Sequence, residues 1–126
     1  MNPQRNPVGW FEIYVRDMKR AKAFYEAVFE TKLEKLPSGD VEMYVFPADP
    51  NKPGSGGSLV RMEGVEASSG LSTLVYFSCA DCAVEAARAP KAGGKIFKEK
   101  CSIGPYGHIS LVVDTEGNMF GLHSMS

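Results

Sequence analysis

The chain has 126 residues, 44% hydrophobic and 23% charged, with 14 Lys and Arg against 15 Asp and Glu. Those values describe one ordinary globular domain, residues 1–126, with enough chain to bury a core. Balanced charge without a block of one sign argues against nucleic acid or an anionic membrane surface as partner. No apolar run approaches the roughly 18–20 residues that span a bilayer.

MNPQRNPVGW carries no apolar core of a secretory signal. With three cysteines, an odd number, the expectation is a cytoplasmic protein with reduced thiols.

The first module opens with GWFEIYV (9–15), a period-two strand of β-branched and aromatic residues. Asp17 follows where a helix N-cap belongs, since its carboxylate can accept a free first-turn N–H. MKRAKAFYEAVFE (18–30) then places Ala21, Phe24, Tyr25, Val28 and Phe29 at helical spacing, which predicts one apolar stripe. Three strands are expected next, at KLEKL (32–36), VEMYVF (41–46) and SLVRM (58–62). PADPNKPGSGG (47–57) between the last two reads as a loop, open to a lid role or simple mobility.

The second module repeats this order. STLVYFS (72–78) reads as a strand, Asp81 as a cap, and a helix is expected from Cys82 to about Ala89, where Pro90 should end or kink it. AGGKI (92–96) turns the chain into KIFKEK (95–100), and HISLVVD (108–114) and NMFGLHS (118–124) follow around the turn TEG. Tyr106 and Gly107 precede the seventh strand after a turn-rich IGP. Asp17 and Asp81 are 64 residues apart, about half the chain. Two βαβββ modules in tandem, at about 8–62 and 72–124, account for the periodicity.

EIYVRDMKRAKAFYEAVF, AGGKI and DTEGNMFGLH resemble the vicinal oxygen chelate superfamily, which contains glyoxalase I, bleomycin-resistance proteins, fosfomycin-resistance enzymes and extradiol dioxygenases. The resemblance covers nearly the whole chain in order. Its most specific parts are V-x-D-x-x-x-A-x-x-F-Y (15–25) and D-x-x-G-N (114–118). It implies an α+β fold in which two tandem βαβββ modules form curled mixed sheets around a cavity, with helices on the convex side. It also implies a homodimer.

Strand alternation assigns faces independently of the family. Phe11, Ile13 and Val15 form the apolar set that should meet the helix, so Trp10, Glu12 and Tyr14 point the other way. Val75, Phe77 and Cys79 likewise leave Leu74, Tyr76 and Ser78 inward. In the seventh strand Ile109, Leu111 and Val113 are expected in the core, with His108 and Ser110 facing the cavity. In the eighth, Phe120 and Leu122 are expected in the core, with Met119, Gly121 and His123 facing it. Large apolar bodies with a few polar tips are what small-ligand sites are made of. The expected pocket wall is therefore Trp10, Glu12, Tyr14, Tyr76, Ser78, His108, Ser110, Met119 and His123.

Cys79 and Cys82 form a C-x-x-C at a strand-to-helix junction. By the repeat, Cys79 corresponds to Val15 on the helix-packing side, where a free cysteine behaves as a small hydrophobe. Cys82 stands at the first helical position, where the dipole favours a thiolate, but Asp81 beside it opposes one. Structural cysteines are the favoured reading, and a thiol-redox protein on this scaffold is the weaker one.

Enzymes of the resembled family hold a divalent cation with side chains on the first, fourth, fifth and eighth strands, typically His, Glu, His and Glu. Carried over, the first position is Trp10, the fifth-strand position falls near Leu74, and the eighth-strand position is Gly121. None of these can coordinate a metal. For the fourth, Val60 and Met62 are the nearest residues, with Glu63 just beyond. No cofactor is expected, although Glu12, His108 and His123 offer a displaced divalent-metal set. Glu12 itself has three open roles: binding a cationic ligand group, acting as a general base with a raised pKa, or pairing with Arg61 or a histidine.

The expected function is a small-molecule-binding protein of the glyoxalase and bleomycin-resistance kind, lacking the usual metal ligands. The alternative is an enzyme of lyase, isomerase or dioxygenase type, using a displaced metal or metal-free acid–base chemistry in which Glu12 is the catalytic residue.

Overall fold

The computed structural model describes residues 1–62 and 72–126. Glu63, one candidate for the fourth-strand metal position, lies outside the described residues. The chain folds as two compact units, Trp10–Leu74 and Val75–Ser126, the latter joined by Met1–Gly9. The expected α+β class with two tandem βαβββ modules is what the chain forms. No helix among the described residues is long and apolar enough to cross a membrane.

In the first unit, β1 (Val8–Tyr14) is followed by α1 (Met18–Phe29), β2 (Glu34–Leu36), β3 (Glu42–Val45) and β4 (Gly56–Arg61). β1 pairs parallel with β4, while β3 pairs antiparallel with both β4 and β2, so the sheet is mixed. α1 starts because the Asp17 carboxylate accepts the Arg20 N–H at 3.0 Å, as the sequence predicts. It ends at Glu30, which takes the left-handed conformation at φ 49°.

Met18, Leu33 and Leu59 form the buried cluster beneath α1, flanked by Ile13, Val15, Ala21, Tyr25 and Tyr44. Burying Leu59 completely contributes about 2 kcal/mol. The helix stripe is narrower than its spacing suggests. Ala21 and Tyr25 pack inward, but Phe24, Val28 and Phe29 are 60%, 55% and 62% exposed. A 12-residue helix on one sheet covers only the arc that includes Met18, Ala21 and Tyr25, and the remaining apolar residues fall to its flank.

The second unit contains β5 (Thr73–Ser78, mostly in this unit), α2 (Cys82–Lys91), β6 (Lys95–Ser102), β7 (His108–Val113) and β8 (Met119–Ser124). β5 pairs parallel with β8, and β7 pairs antiparallel with β8 and β6. Asp81 caps α2 through the Ala83 N–H at 3.0 Å and also holds Lys100 at 2.8 Å. Both bonds hold its carboxyl below the usual range, the Lys100 bond most.

Pro90 does not end the helix at Ala89. It sits in the last turn, and the helix continues to Lys91, because proline's fixed φ is itself helical and only one internal hydrogen bond is lost. The buried cluster beneath α2 is Cys79, Cys82, Ala86, Val112 and Leu122, with Phe77, Phe120 and Ile96 against it. The N-terminal segment docks on this unit. Asn2 donates to the Ser78 carbonyl at 2.9 Å, Ser78 donates to the Pro7 carbonyl at 2.8 Å, and the terminal ammonium pairs with Glu85.

Candidate functional site

On β1, Ile13 and Val15 pack toward α1, which leaves Trp10, Glu12 and Tyr14 together on the opposite face, as alternation requires. The three side chains are bonded to one another. Tyr14 Oη donates to Glu12 Oε1 at 2.9 Å, and Trp10 Nε1 donates to Glu12 Oε2 at 3.3 Å. Glu12 is 7% exposed and Tyr14 8%. Burial, and then the Glu12 charge and hydrogen bond, push the Tyr14 phenol far above its ordinary value. Tyr14 therefore remains a donor throughout the working pH range. A carboxylate that accepts two hydrogen bonds is stabilised in its charged form. This face thus presents a buried, hydrogen-bonded carboxylate between two aromatic rings. Arg61, one expected partner for Glu12, donates from Nε to the Arg16 carbonyl at 3.1 Å.

The ladder extends this face onto β4. Trp10, Glu12 and Tyr14 stand in register with Gly56, Ser58 and Val60, and parallel partners at one level point to the same side. Ser58 is fully buried, and its Oγ has no hydrogen-bond partner among the described residues. The sequence reading missed it, because it began the strand at Ser58 rather than at Gly56. An apolar cleft of about 360 Å³ opens on the α1 side of this unit, walled by Phe11, Ile13, Tyr25, Phe29, Phe46 and Pro47. It offers no charged group.

In the second unit Tyr76, Ser78, Met119, Gly121 and His123 share the face away from α2, since Phe77, Phe120 and Leu122 pack under that helix. Tyr76 is in register with Gly121 and Ser78 with His123. His123 Nε2 lies 2.6 Å from the Tyr106 carbonyl, so it carries the proton and pins the turn Gly104–Tyr106.

His108 and Ser110 are not on that face. β7 pairs Ser110 with Leu122 and Val112 with Phe120, and Val112 belongs to the cluster under α2. His108, Ser110 and Val112 therefore face α2, whereas Ile109, Leu111 and Val113 share the side of His123, Gly121 and Met119. The strand is apolar on both faces apart from one serine and one histidine, so alternation alone chose the wrong one. Ser110 is satisfied there by the Lys98 carbonyl at 2.7 Å, beside the register shifts between β6 and β7. His108 and His123 stand on opposite faces of one sheet and form no ligand pair. Among the described residues no group of three or more His, Cys, Asp or Glu side chains is gathered to hold a metal.

The repeat relates the four metal positions of the resembled family to one another. Glu12 precedes Asp17 by five residues and Tyr76 precedes Asp81 by five, so the pairs Glu12–Ser58 and Tyr76–Gly121 correspond. The fourth-strand counterpart of Gly121 is therefore Ser58, not Val60 or Met62. The set reads Trp10, Ser58, Leu74 and Gly121. Leu74 is fully buried, the Trp10 N–H is engaged by Glu12, and any Cβ at Gly121 would overlap the Tyr76 ring. The space for the eighth-strand carboxylate is filled. These residues do not fit the divalent cation of the resembled family.

The cysteines are free. Cys79 and Cys82 are buried and Cys101 half-buried. Burial, with the nearby Glu85 charge, pushes the Cys79 thiol up to about 11, the opposite of an activated nucleophile.

Two βαβββ units with mixed sheets and a helix on one face of each define the fold class, and solved structures share it. A Streptomyces coelicolor methylmalonyl-CoA epimerase variant in complex with 2-nitronate-propionyl-CoA is 17% identical with a TM-score of 0.66, over 96% of this chain and 95% of that one. Mycobacterium tuberculosis methylmalonyl-CoA epimerase is 14% identical with a TM-score of 0.64, over 95% and 88%. A Legionella pneumophila structure described as an NAD-dependent benzaldehyde dehydrogenase is 16% identical with a TM-score of 0.56, over 93% and 98%. The epimerases belong to the vicinal oxygen chelate superfamily. No protein-family model matches the sequence, and no curated protein does. Identities this low establish the fold alone, and one fold hosts many activities.

Proposed function

We propose that the protein binds a small molecule through the face of β1 that carries Trp10, Glu12 and Tyr14, without the divalent cation that enzymes of the resembled family hold, and that Glu12 selects a cationic group on the ligand. The observation that carries this reading is the buried Glu12 carboxylate, held between the Tyr14 hydroxyl and the Trp10 N–H. Two hydrogen-bond donors orient the carboxylate, which suits recognition of a ligand's donor groups. Aromatic rings beside a carboxylate also favour organic cations over hydrated inorganic ones.

The test is a thermal-shift screen of cationic, neutral and anionic small molecules, on protein whose metal content has been measured by elemental mass spectrometry after desalting. The reading predicts stabilisation by organic cations, lost in Glu12→Gln, and no stoichiometric metal. Near-stoichiometric metal retained after desalting would overturn it.

A second reading is favoured by the epimerase neighbours, one of which is described in complex with methylmalonyl-CoA. In it the chain is an isomerase of a CoA thioester, with Glu12 as base. Incorporation of deuterium from D₂O at the α-carbon of methylmalonyl-CoA, abolished in Glu12→Gln, would establish it in place of the binder.

A further inference from the structure

We infer that Ser58 is a ligand-binding residue acting with Glu12, and that the pair selects a protonated amine with N–H donors of its own, a primary or secondary ammonium, over a quaternary one. The inference rests on the Glu12 reading above and specifies its ligand class.

Ser58 is completely buried, yet its Oγ has no partner among the described residues. A buried hydroxyl without a hydrogen bond destabilises the fold relative to alanine, and such groups are uncommon enough in native proteins that each calls for a cause. Its position supplies one. Ser58 is the in-register partner of Glu12 across the β1–β4 ladder, so the two side chains leave adjacent strands about 4.8 Å apart on the same face. The other lateral neighbour of Ser58 is Val45 on β3, which has no side-chain polar atom to offer. The levels above and below pair Trp10 with Gly56 and Tyr14 with Val60. Glu12 and Ser58 thus stand side by side, with Trp10, Gly56, Tyr14 and Val60 at the levels above and below.

The chemistry of the pair narrows the ligand. A carboxylate accepts hydrogen-bond donors and repels anions. A hydroxyl oxygen beside it has free acceptor capacity. An ammonium with two or more N–H groups can donate to Glu12 and to Ser58 Oγ together. A quaternary ammonium satisfies the charge and leaves the hydroxyl orphaned, and an alcohol supplies a single donor and no charge. Because both groups are shielded from solvent, the charged end must also be compact.

Trp10 is the single tryptophan of the chain, and its indole N–H touches Glu12, so its fluorescence reports directly on the site. The experiment titrates wild type, Ser58→Ala and Glu12→Gln with propylammonium, propyltrimethylammonium and 1-propanol, at matched ionic strength. In wild type propylammonium should bind at least about tenfold more tightly than propyltrimethylammonium, with 1-propanol weaker than either. Ser58→Ala should weaken propylammonium about fivefold, the loss of one hydrogen bond, and leave propyltrimethylammonium unchanged.

Equal affinity for the two cations, or an unchanged propylammonium affinity in Ser58→Ala, overturns the Ser58 assignment. If Glu12→Gln then still abolishes both, the Glu12 reading stands without it. Absence of any saturable response to either cation overturns both.

Discussion

Tyr76 lies over Gly121, its in-register neighbour on the parallel strand, so closely that any Cβ at position 121 would enter the ring. The same device recurs in the first unit, where a Cβ on Gly56 would approach Trp10 Cζ3 to 3.0 Å. In each unit an aromatic side chain on the first strand occupies room that a glycine on the last strand provides. Gly121 is also the position at which the family resemblance would place an eighth-strand metal ligand.

Gly121→Ala should therefore destabilise the protein by about 1–3 kcal/mol through overpacking. In a Tyr76→Val background the same substitution should cost about 0.5 kcal/mol or less, because the obstruction is gone. Urea unfolding of the four proteins in this cycle measures the coupling. Additive effects would show that the ring does not set the constraint.

Removing the Tyr14 hydroxyl takes one donor from a buried carboxylate. Tyr14→Phe should lower stability by about 1.5–3 kcal/mol, the range for hydrogen bonds to charged groups. A midpoint within experimental error of wild type in urea would mean that water replaces the bond.

Stability should decline on the alkaline side. Cys79 is raised from 9.0 to about 11 and Tyr14 is raised further above 10. Both groups keep their protons in the folded state after the unfolded chain has lost them. Their contributions are complete below pH 9 and decline as pH rises, first through the Cys79 window of 9 to 11 and then above 10 for Tyr14. Thermal midpoints should fall progressively from pH 9 upward. In Cys79→Ala the decline should begin about one unit later, and an identical profile would remove Cys79 as its cause.

Thiol accessibility separates a structural C-x-x-C from a reactive one. With Cys79 and Cys82 buried and Cys101 half-buried, an aromatic disulfide reagent at pH 8 should titrate one thiol of the native protein readily and all three in denaturant. Fast modification of Cys82 would revive the redox reading.

Ser58→Ala should raise stability by about 1 kcal/mol, since it removes a buried hydroxyl that finds no partner. For a chain of this length that is a rise of about 3–6 °C in Tm. A gain in stability together with weaker ammonium binding is the signature of a residue retained for function. A loss of stability would show that the hydroxyl is satisfied in solution.

The sequence by itself determined the architecture. Two aspartate caps 64 residues apart, each between a period-two strand and an amphipathic run, place both βαβββ units, and both caps bond as their chemistry requires. It also determined the grouping of Trp10, Glu12 and Tyr14, because β1 alternates between an apolar set and a polar or aromatic one. Where that contrast fails, the chain does not state its facing. His108–Val113 is apolar at Ile109, Leu111 and Val113 but also at Val112, and only its pairing with Phe120 and Leu122 turns His108 and Ser110 toward α2. Ser58 was invisible for a related reason. A serine at a presumed strand end carries no signal until the ladder sets it beside Glu12 and burial removes its water. Local pattern fixes which element forms, whereas strand register and burial are non-local. Those two decided which polar atoms meet and which, such as Ser58 Oγ and His108 Nδ1, find no partner among the described residues.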